Sequence, residues 1–193
     1  FNKDFLSNLL NKKTMNDHII HISNQIGKKY NSKSEQNIFI DKMPPNFYWI
    51  GFIKLLFPNS KIIHIKRNLK DNCLSIYKNF FASDDMKWAF DEKNIANYYN
   101  MHLNLMDFWK SKLGDQLYEI NYEKLVSNKE EEIKKLIKYC ELNWDPACLE
   151  HYKSKKTPIK TVSISQARKP VYQSSVNSNF NYEIYLSEMF NLL

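Results

Sequence analysis

Apolar residues recur every three or four positions over the first thirty residues. Phe5, Leu6, Leu9 and Leu10 form one stripe and Ile19, Ile22, Ile26 and Tyr30 another, which predicts two helices. Residues 31–36 are polar and turn-like, and residues 37–40 (NIFI) read as a short strand. That strand is closed by Asp41-Lys42-Met43-Pro44-Pro45, since Pro lacks a backbone donor and biases the residue before it to extended geometry. Residues 47–57 are nearly all apolar and predict a short buried helix, ended by the Pro58-Asn59 turn. The clearest strand is 61–66 (KIIHIK), whose near-continuous β-branched run fits a strand covered on both faces. A helix follows over 69–81, with Asn68 as its cap and Leu74, Tyr77 and Phe81 on its buried side. The longest helix spans 92–112, with Ile95, Tyr98, Tyr99, His102, Met106 and Trp109 as its stripe, and Gly114 ends it. Residues 117–121 give a third strand. Ser127-Asn128-Lys129-Glu130 has the form of a capping box and opens a helix with Ile133, Leu136, Ile137 and Cys140 on one side. A short helix follows Trp144-Asp145-Pro146, then a basic, aperiodic stretch over 153–168, then a terminal helix over 181–193.

Strands alternate with helices, and the connections are long enough to be crossovers. The pattern predicts one α/β layered domain with a parallel sheet. Its parts are a helical segment over 1–34, a core over 35–173 and a C-terminal tail helix over 174–193.

Composition narrows the function. Glycine occurs at three scattered positions, Gly27, Gly51 and Gly114, so neither GxGxxG nor GxxxxGK[ST] can be written and the chain has no glycine-rich phosphate cradle of its own. The net charge of +7 suits an anionic partner. No recognition helix or aromatic RNA-binding strand directs that charge to nucleic acid. Cys73, Cys140 and Cys148 are odd in number and lack CxxC spacing, which predicts free thiols in a reducing compartment, the cytoplasm, and no zinc site. No apolar run reaches the roughly 18 residues of a membrane helix, and no secretory signal peptide opens the sequence.

Ligands of open parallel sheets bind beyond the carboxyl ends of the strands. Lys42, Arg67 and Tyr122-Glu123 fall there. Arg67 can grip a phosphate through two parallel hydrogen bonds, and Ser75 in the following helix can add a third; the open alternative is an Arg paired with a surface carboxylate and an ordinary helical Ser. Lys42 beside two prolines is either an electrostatic stabiliser of a transferring group or a surface Lys. Ser163, Arg168 and Lys169 form a basic cluster that either wraps an anion or is solvated. His64 in the strand and His102 on the helix stripe read as core histidines. The Lys/Glu run over 129–135 reads as a solvated helix side.

Five segments then stand in a familiar order: FIDKMPPNFYWIGFI, FPNSKIIHIKRNLKDNCLSIYKNFF, YEINYEKLV, ELNWDPACL and TVSISQARKPVY. Over residues 35–173 the chain resembles the bacterial sulfotransferases often joined to tetratricopeptide repeats, and is similar to tyrosylprotein sulfotransferases. The resemblance implies a three-layer αβα fold of the P-loop nucleotide-kinase type. It implies 3′-phosphoadenosine 5′-phosphosulfate (PAPS) as donor, no metal, and an acceptor hydroxyl or amine on a peptide tyrosine, saccharide or lipid. By resemblance Arg67 and Ser75 hold the donor's 3′-phosphate, Tyr122 lies near the adenine and Lys42 near the bridging oxygen. Ser163, Arg168 and Lys169 belong to a loop that closes over the donor.

The family's first strand, its 5′-phosphosulfate loop and its general base are expected upstream of residue 1. The 193 residues are therefore expected to be an inactive fragment that keeps the 3′-phosphate half-site, with tetratricopeptide repeats a candidate neighbour. The alternative from another class is a non-catalytic anion- or protein-binding domain of P-loop-like fold. A P-loop kinase is disfavoured, because the strand ends carry Lys42, Arg67 and Tyr122 in place of a Walker lysine and a magnesium-holding Asp.

Overall fold

A computed structural model of the chain describes residues 12–31, 38–153 and 169–193. The chain forms two compact units, Phe1–Ser60 and Lys61–Leu193. Together they hold a mostly helical α/β arrangement with a small parallel sheet.

In the first unit, α1 (Lys12–Asn31) half-buries Ile19, Ile22 and Ile26 of the stripe read from the spacing, with Met15 beside them, and packs against α2 (Ile50–Leu56). The helix predicted around Phe5–Leu10 lies outside the described residues. Residues 38–43 are extended but pair with no strand among the described residues, so the strand predicted over 37–40 is not formed there. A strand exists by its ladder partner, which apolar composition alone does not supply. The helix predicted over 47–57 is split. Pro44 and Pro45 start a tight 3-10 turn (Pro44–Tyr48) with Met43 extended before it, and the α-helix begins at Ile50. Phe47, Ile50 and Leu56 are buried, and Phe39 meets Phe57 edge-on at 5.6 Å.

The second unit is built on β1 (Ile62–Lys66) and β2 (Leu117–Asn121), paired in parallel with Ile62 opposite Leu117 and Lys66 opposite Asn121. Between them run α3 (Leu69–Tyr77), a 3-10 segment (Asp84–Phe90) and α4 (Glu92–Leu113). After β2 come α5 (Tyr122–Ser127) and α6 (Lys129–Tyr139), and the chain ends in a 3-10 turn (Ser178–Tyr182) and α7 (Ser187–Asn191). Side chains alternate across a strand. On one side Tyr118 stacks on Tyr139 of α6 at 4.7 Å; on the other, His64 meets His102 of α4 at 5.3 Å.

Asn68 caps α3 as expected, its side-chain oxygen accepting from Asp71 N–H at 3.1 Å. The helix stops at Tyr77, short of the predicted Phe81, where Asn79 Nδ2 turns back to the Ser75 carbonyl. Asp91 caps α4 by accepting from Asn94 N–H, and Gly114 ends it at φ +54. The capping box at Ser127–Glu130 does not form. Ser127 is the last residue of α5 and its hydroxyl donates back to Lys124, so Asn128 takes the cap position without a side-chain bond. The tail helix is likewise two short helices, broken at residues 183–186.

The core of this unit joins Cys73 and Leu74 of α3, Ile95, Ala96 and Tyr99 of α4, and Leu186, Met189 and Phe190 of the C-terminal segment. The last residues are thus core. Fully burying side chains of this size contributes about 1.5–3 kcal/mol each. Lys70–Glu183, Lys93–Glu188 and the bond from Asn100 Nδ2 to the Leu192 carbonyl pin the same segment at its rim. Among the described residues no helix is long and apolar enough to cross a membrane.

Candidate anion site at the strand ends

Parallel register brings the two strand exits side by side. Lys66 stands opposite Asn121, so the next residues, Arg67 and Tyr122, leave the sheet as neighbours. The Arg67 guanidinium lies over the Tyr122 ring, 5.1 Å from its centroid, a cation–π contact. Arg67 Nη2 donates to the Ser175 carbonyl at 2.8 Å, and the Tyr122 hydroxyl meets the Ser175 hydroxyl at 3.0 Å. Arg67 Nε is buried and has no hydrogen-bond partner among the described residues. A buried, charged donor without an acceptor is unfavourable unless an anion meets it.

Both strand exits turn at once into helices held by Asn caps. Asn121 accepts from Lys124 N–H at 2.8 Å, as Asn68 does from Asp71. The two exits are tied together where Asn68 N–H donates to Glu123 Oε1 at 2.8 Å. Beside Arg67 opens a cleft of about 360 Å³, lined among others by His64, Asn72, Tyr99, His102 and Asn121. His64, Tyr99 and His102 are neutral at pH 7. Burial, reinforced by the neighbouring His64, lowers His102 to about 4; burial lowers His64 despite Glu119 at 3.6 Å; burial pushes Tyr99 up to about 12. Positive charge at the cleft therefore comes from Lys66 and Arg67.

A segment 108 residues away in sequence roofs this site. Gln173 Nε2 donates to the Val126 carbonyl at 3.1 Å. Asn177 N–H, Asn179 N–H, Asn179 Nδ2 and the Ser178 hydroxyl all donate to the carboxylate of Asp71, at 2.7–3.1 Å. Asp71 is fully buried. Burial would raise its pKa, but the bonds from Asn179, Asn177 and Ser178 prevail and hold it below the usual carboxylate range.

Of the residues singled out in the sequence, the structure brings Arg67 and Tyr122 together. Ser75 sits half-buried two turns into α3, outside the cleft lining. Lys42 belongs to the first unit, exposed on the extended stretch before Pro44. Lys169 is exposed, and Ser163 and Arg168 lie outside the described residues. Sequence reasoning missed Asp71 and Ser175. Asp71 reads as an ordinary first-turn acid, and a polar SSVNSN run reads as tail. Among the described residues no cluster of three His, Cys, Asp or Glu could hold a metal ion.

Residues 2–146 match the sulfotransferase family. An uncharacterised protein of Aquifex aeolicus (strain VF5) is 42% identical over 162 residues, which is 83% of this chain and 21% of that protein. A Caenorhabditis briggsae protein named "Putative protein-tyrosine sulfotransferase" is 25% identical over 112 residues, 58% of this chain and 40% of that protein. The chain thus spans less than half the length of either relative.

Proposed function

The chain is a member of the sulfotransferase family, and on that footing we propose that it takes part in transfer of a sulfuryl group from PAPS to an acceptor hydroxyl or amine. The observation that carries the reading is Arg67: a guanidinium at a strand exit, stacked on Tyr122, with a buried Nε that has no protein acceptor among the described residues. The donor set suits the nucleotide's 3′-phosphate, since Arg gives a planar, permanently charged fork.

PAPS supplies an activated sulfuryl group on a phosphate leaving group. In this reading Arg67 grips the 3′-phosphate, Ser75 adds a hydroxyl and Tyr122 offers its ring to the adenine. That phosphate is remote from the reacting bond, so its binding energy serves to place the nucleotide for attack. Lys42 meets the negative charge that develops on the leaving oxygen, and Ser163, Arg168 and Lys169 close over the nucleotide. A three-layer, P-loop-like architecture belongs to the same proposal. No residue of the 193 is assigned to the 5′-phosphosulfate or to the general base. The name of the Caenorhabditis briggsae relative makes peptide tyrosine the first acceptor to test, ahead of saccharide and lipid.

The test is calorimetry on the full chain with adenosine 3′,5′-bisphosphate, adenosine 5′-monophosphate and the Arg67→Ala variant. Hydrogen bonds to a charged group contribute about 1.5–3 kcal/mol, so the variant should bind the bisphosphate about 10- to 150-fold more weakly. The monophosphate should bind poorly to both proteins. A folded chain with no preference for the 3′-phosphate would move the reading to a non-catalytic anion- or protein-binding domain.

A further inference from the structure

Arg67 is held from outside its own element. The strand exit fixes its Cα, but a long side chain there has several rotatable bonds and solvent beside it. What fixes the guanidinium is Ser175, whose carbonyl accepts from Nη2 at 2.8 Å while its hydroxyl engages the Tyr122 hydroxyl at 3.0 Å. One residue thus touches both partners of the cation–π pair.

Ser175 is itself placed by two anchors, each two residues away. On one side Gln173 bonds the Val126 carbonyl on α5. On the other, Asn177 bonds Asp71 on α3. The span between them is a tight turn closed by Val176 N–H to the Gln173 carbonyl at 2.9 Å. Asn177 adopts φ +60, which lets its own N–H and that of Asn179 converge on one carboxylate. Asn tolerates this left-handed geometry better than most residues. The anchors stand on the two helices that begin at the two strand exits, so the turn between them crosses above Arg67 and Tyr122.

We propose that Ser175 is a positioning residue of the anion site: it locks the Arg67 guanidinium onto the Tyr122 ring before any ligand arrives. The proposal rests on the reading of Arg67 as the grip on the donor's 3′-phosphate. Its substance is that the grip is preorganised by the C-terminal turn, so that little side-chain ordering remains when the phosphate binds.

The test compares the full chain with Ser175→Ala and Ser175→Thr. One readout needs no ligand: the Arg67 Nε–H resonance in a nitrogen-15 spectrum, assigned with Arg67→Lys. The other is the affinity for adenosine 3′,5′-bisphosphate. In the parent chain the Nε–H should be restrained and slow to exchange. Ser175→Ala keeps the backbone carbonyl that Arg67 Nη2 meets but removes the hydroxyl that ties the turn to Tyr122. The loosened turn and ring should let the Arg67 Nε–H move and weaken binding about 5-fold, the loss expected for one hydrogen bond. Ser175→Thr keeps the hydroxyl and should restore both to within about twofold of the parent. The inference fails if Ser175→Ala leaves the Arg67 resonance unchanged, or if Ala and Thr act alike. If the parent shows no preference for the 3′-phosphate while Ser175→Ala still frees Arg67 and Thr restrains it, the donor reading falls and the positioning role stands.

Discussion

Asp71→Asn isolates the clasp on which the roof of the site depends. The side chain is fully buried and its two oxygens accept four hydrogen bonds. Three of them, from Ser178 and from both nitrogens of Asn179, fall on Oδ1. An amide can keep that oxygen in place, and those bonds survive as neutral ones, each weaker by about 1 kcal/mol. The fourth cannot survive. Asn177 N–H at 2.7 Å from Oδ2 would face an NH2 group, donor against donor. Its loss costs about 1–3 kcal/mol, and relief of the buried charge offsets part of the total. The net expectation is about 3 kcal/mol.

The loss is not confined to the turn, because the same segment carries Leu186, Met189 and Phe190 into the core beside Cys73 and Leu74. For a chain of 193 residues, about 3 kcal/mol lowers Tm by about 6–12 °C. Urea unfolding at pH 7 measures the difference, and hydrogen exchange at the Asn177 and Asn179 amides locates it. The pH dependence supplies a second check. The folded-state pKa of Asp71 lies below its ordinary value, so its contribution is complete above that value and fades as pH falls through the folded one. The acid limb of the parent's stability curve should therefore be steeper than that of Asp71→Asn. A difference under about 1 kcal/mol at pH 7, with both amides still protected, would refute the clasp.

Cys73 is fully buried and burial pushes its thiol up to about 12, so a thiol reagent at pH 8 should label it only after unfolding, which mass mapping of labelled peptides reports. Met189→Ala should cost about 2–5 kcal/mol in urea unfolding, because the side chain is fully buried; a loss below about 1 kcal/mol would mean that the C-terminal helix is not core. Gly114 stands at φ +54 with open space where a methyl group would project, so Gly114→Ala should cost about 1–3 kcal/mol through backbone strain alone, measured the same way. His102 is held near 4 against an ordinary 6.5, so the unfolded chain takes up a proton that the folded chain refuses. Stability should fall as pH drops from 6.5 toward 4, and His102→Asn should flatten that slope in a urea series.

What was legible in the sequence was local. KIIHIK and LYEIN announce strands because β-branched and apolar residues concentrate there, and both form. The stripe from Ile95 to Met106 and the stop at Gly114 fix α4 almost to the residue. Arg67 and Tyr122 could be nominated because each follows a strand directly, and register then makes them neighbours. The short helix Tyr122–Ser127 escaped, although Asn121 caps it, because its six residues are too few to show a period. Asp71, Ser175 and Asn179 escaped for a different reason. Their bonds close loops of over a hundred residues, and no pattern along the chain encodes which polar residue will meet which.

That division also bears on how tightly the proposed anion site would hold its ligand. Two strand exits supply a charge and a ring, but a guanidinium at a sheet edge would lose rotamer freedom on gripping a phosphate, at a cost of about 1 kcal/mol or more. Here the ordering is done during folding, by the residues that complete the core. Leu186, Met189 and Phe190 anchor the C-terminal segment, Asp71 holds the exit of its turn, and the turn presents Ser175 to Arg67 and Tyr122. Stability and ligand grip are then coupled in one direction. A change that loosens the segment should weaken anion binding along with the fold, whereas Arg67→Ala, which removes the ligand's partner and leaves the Asp71 clasp intact, should reduce binding far more than it reduces Tm.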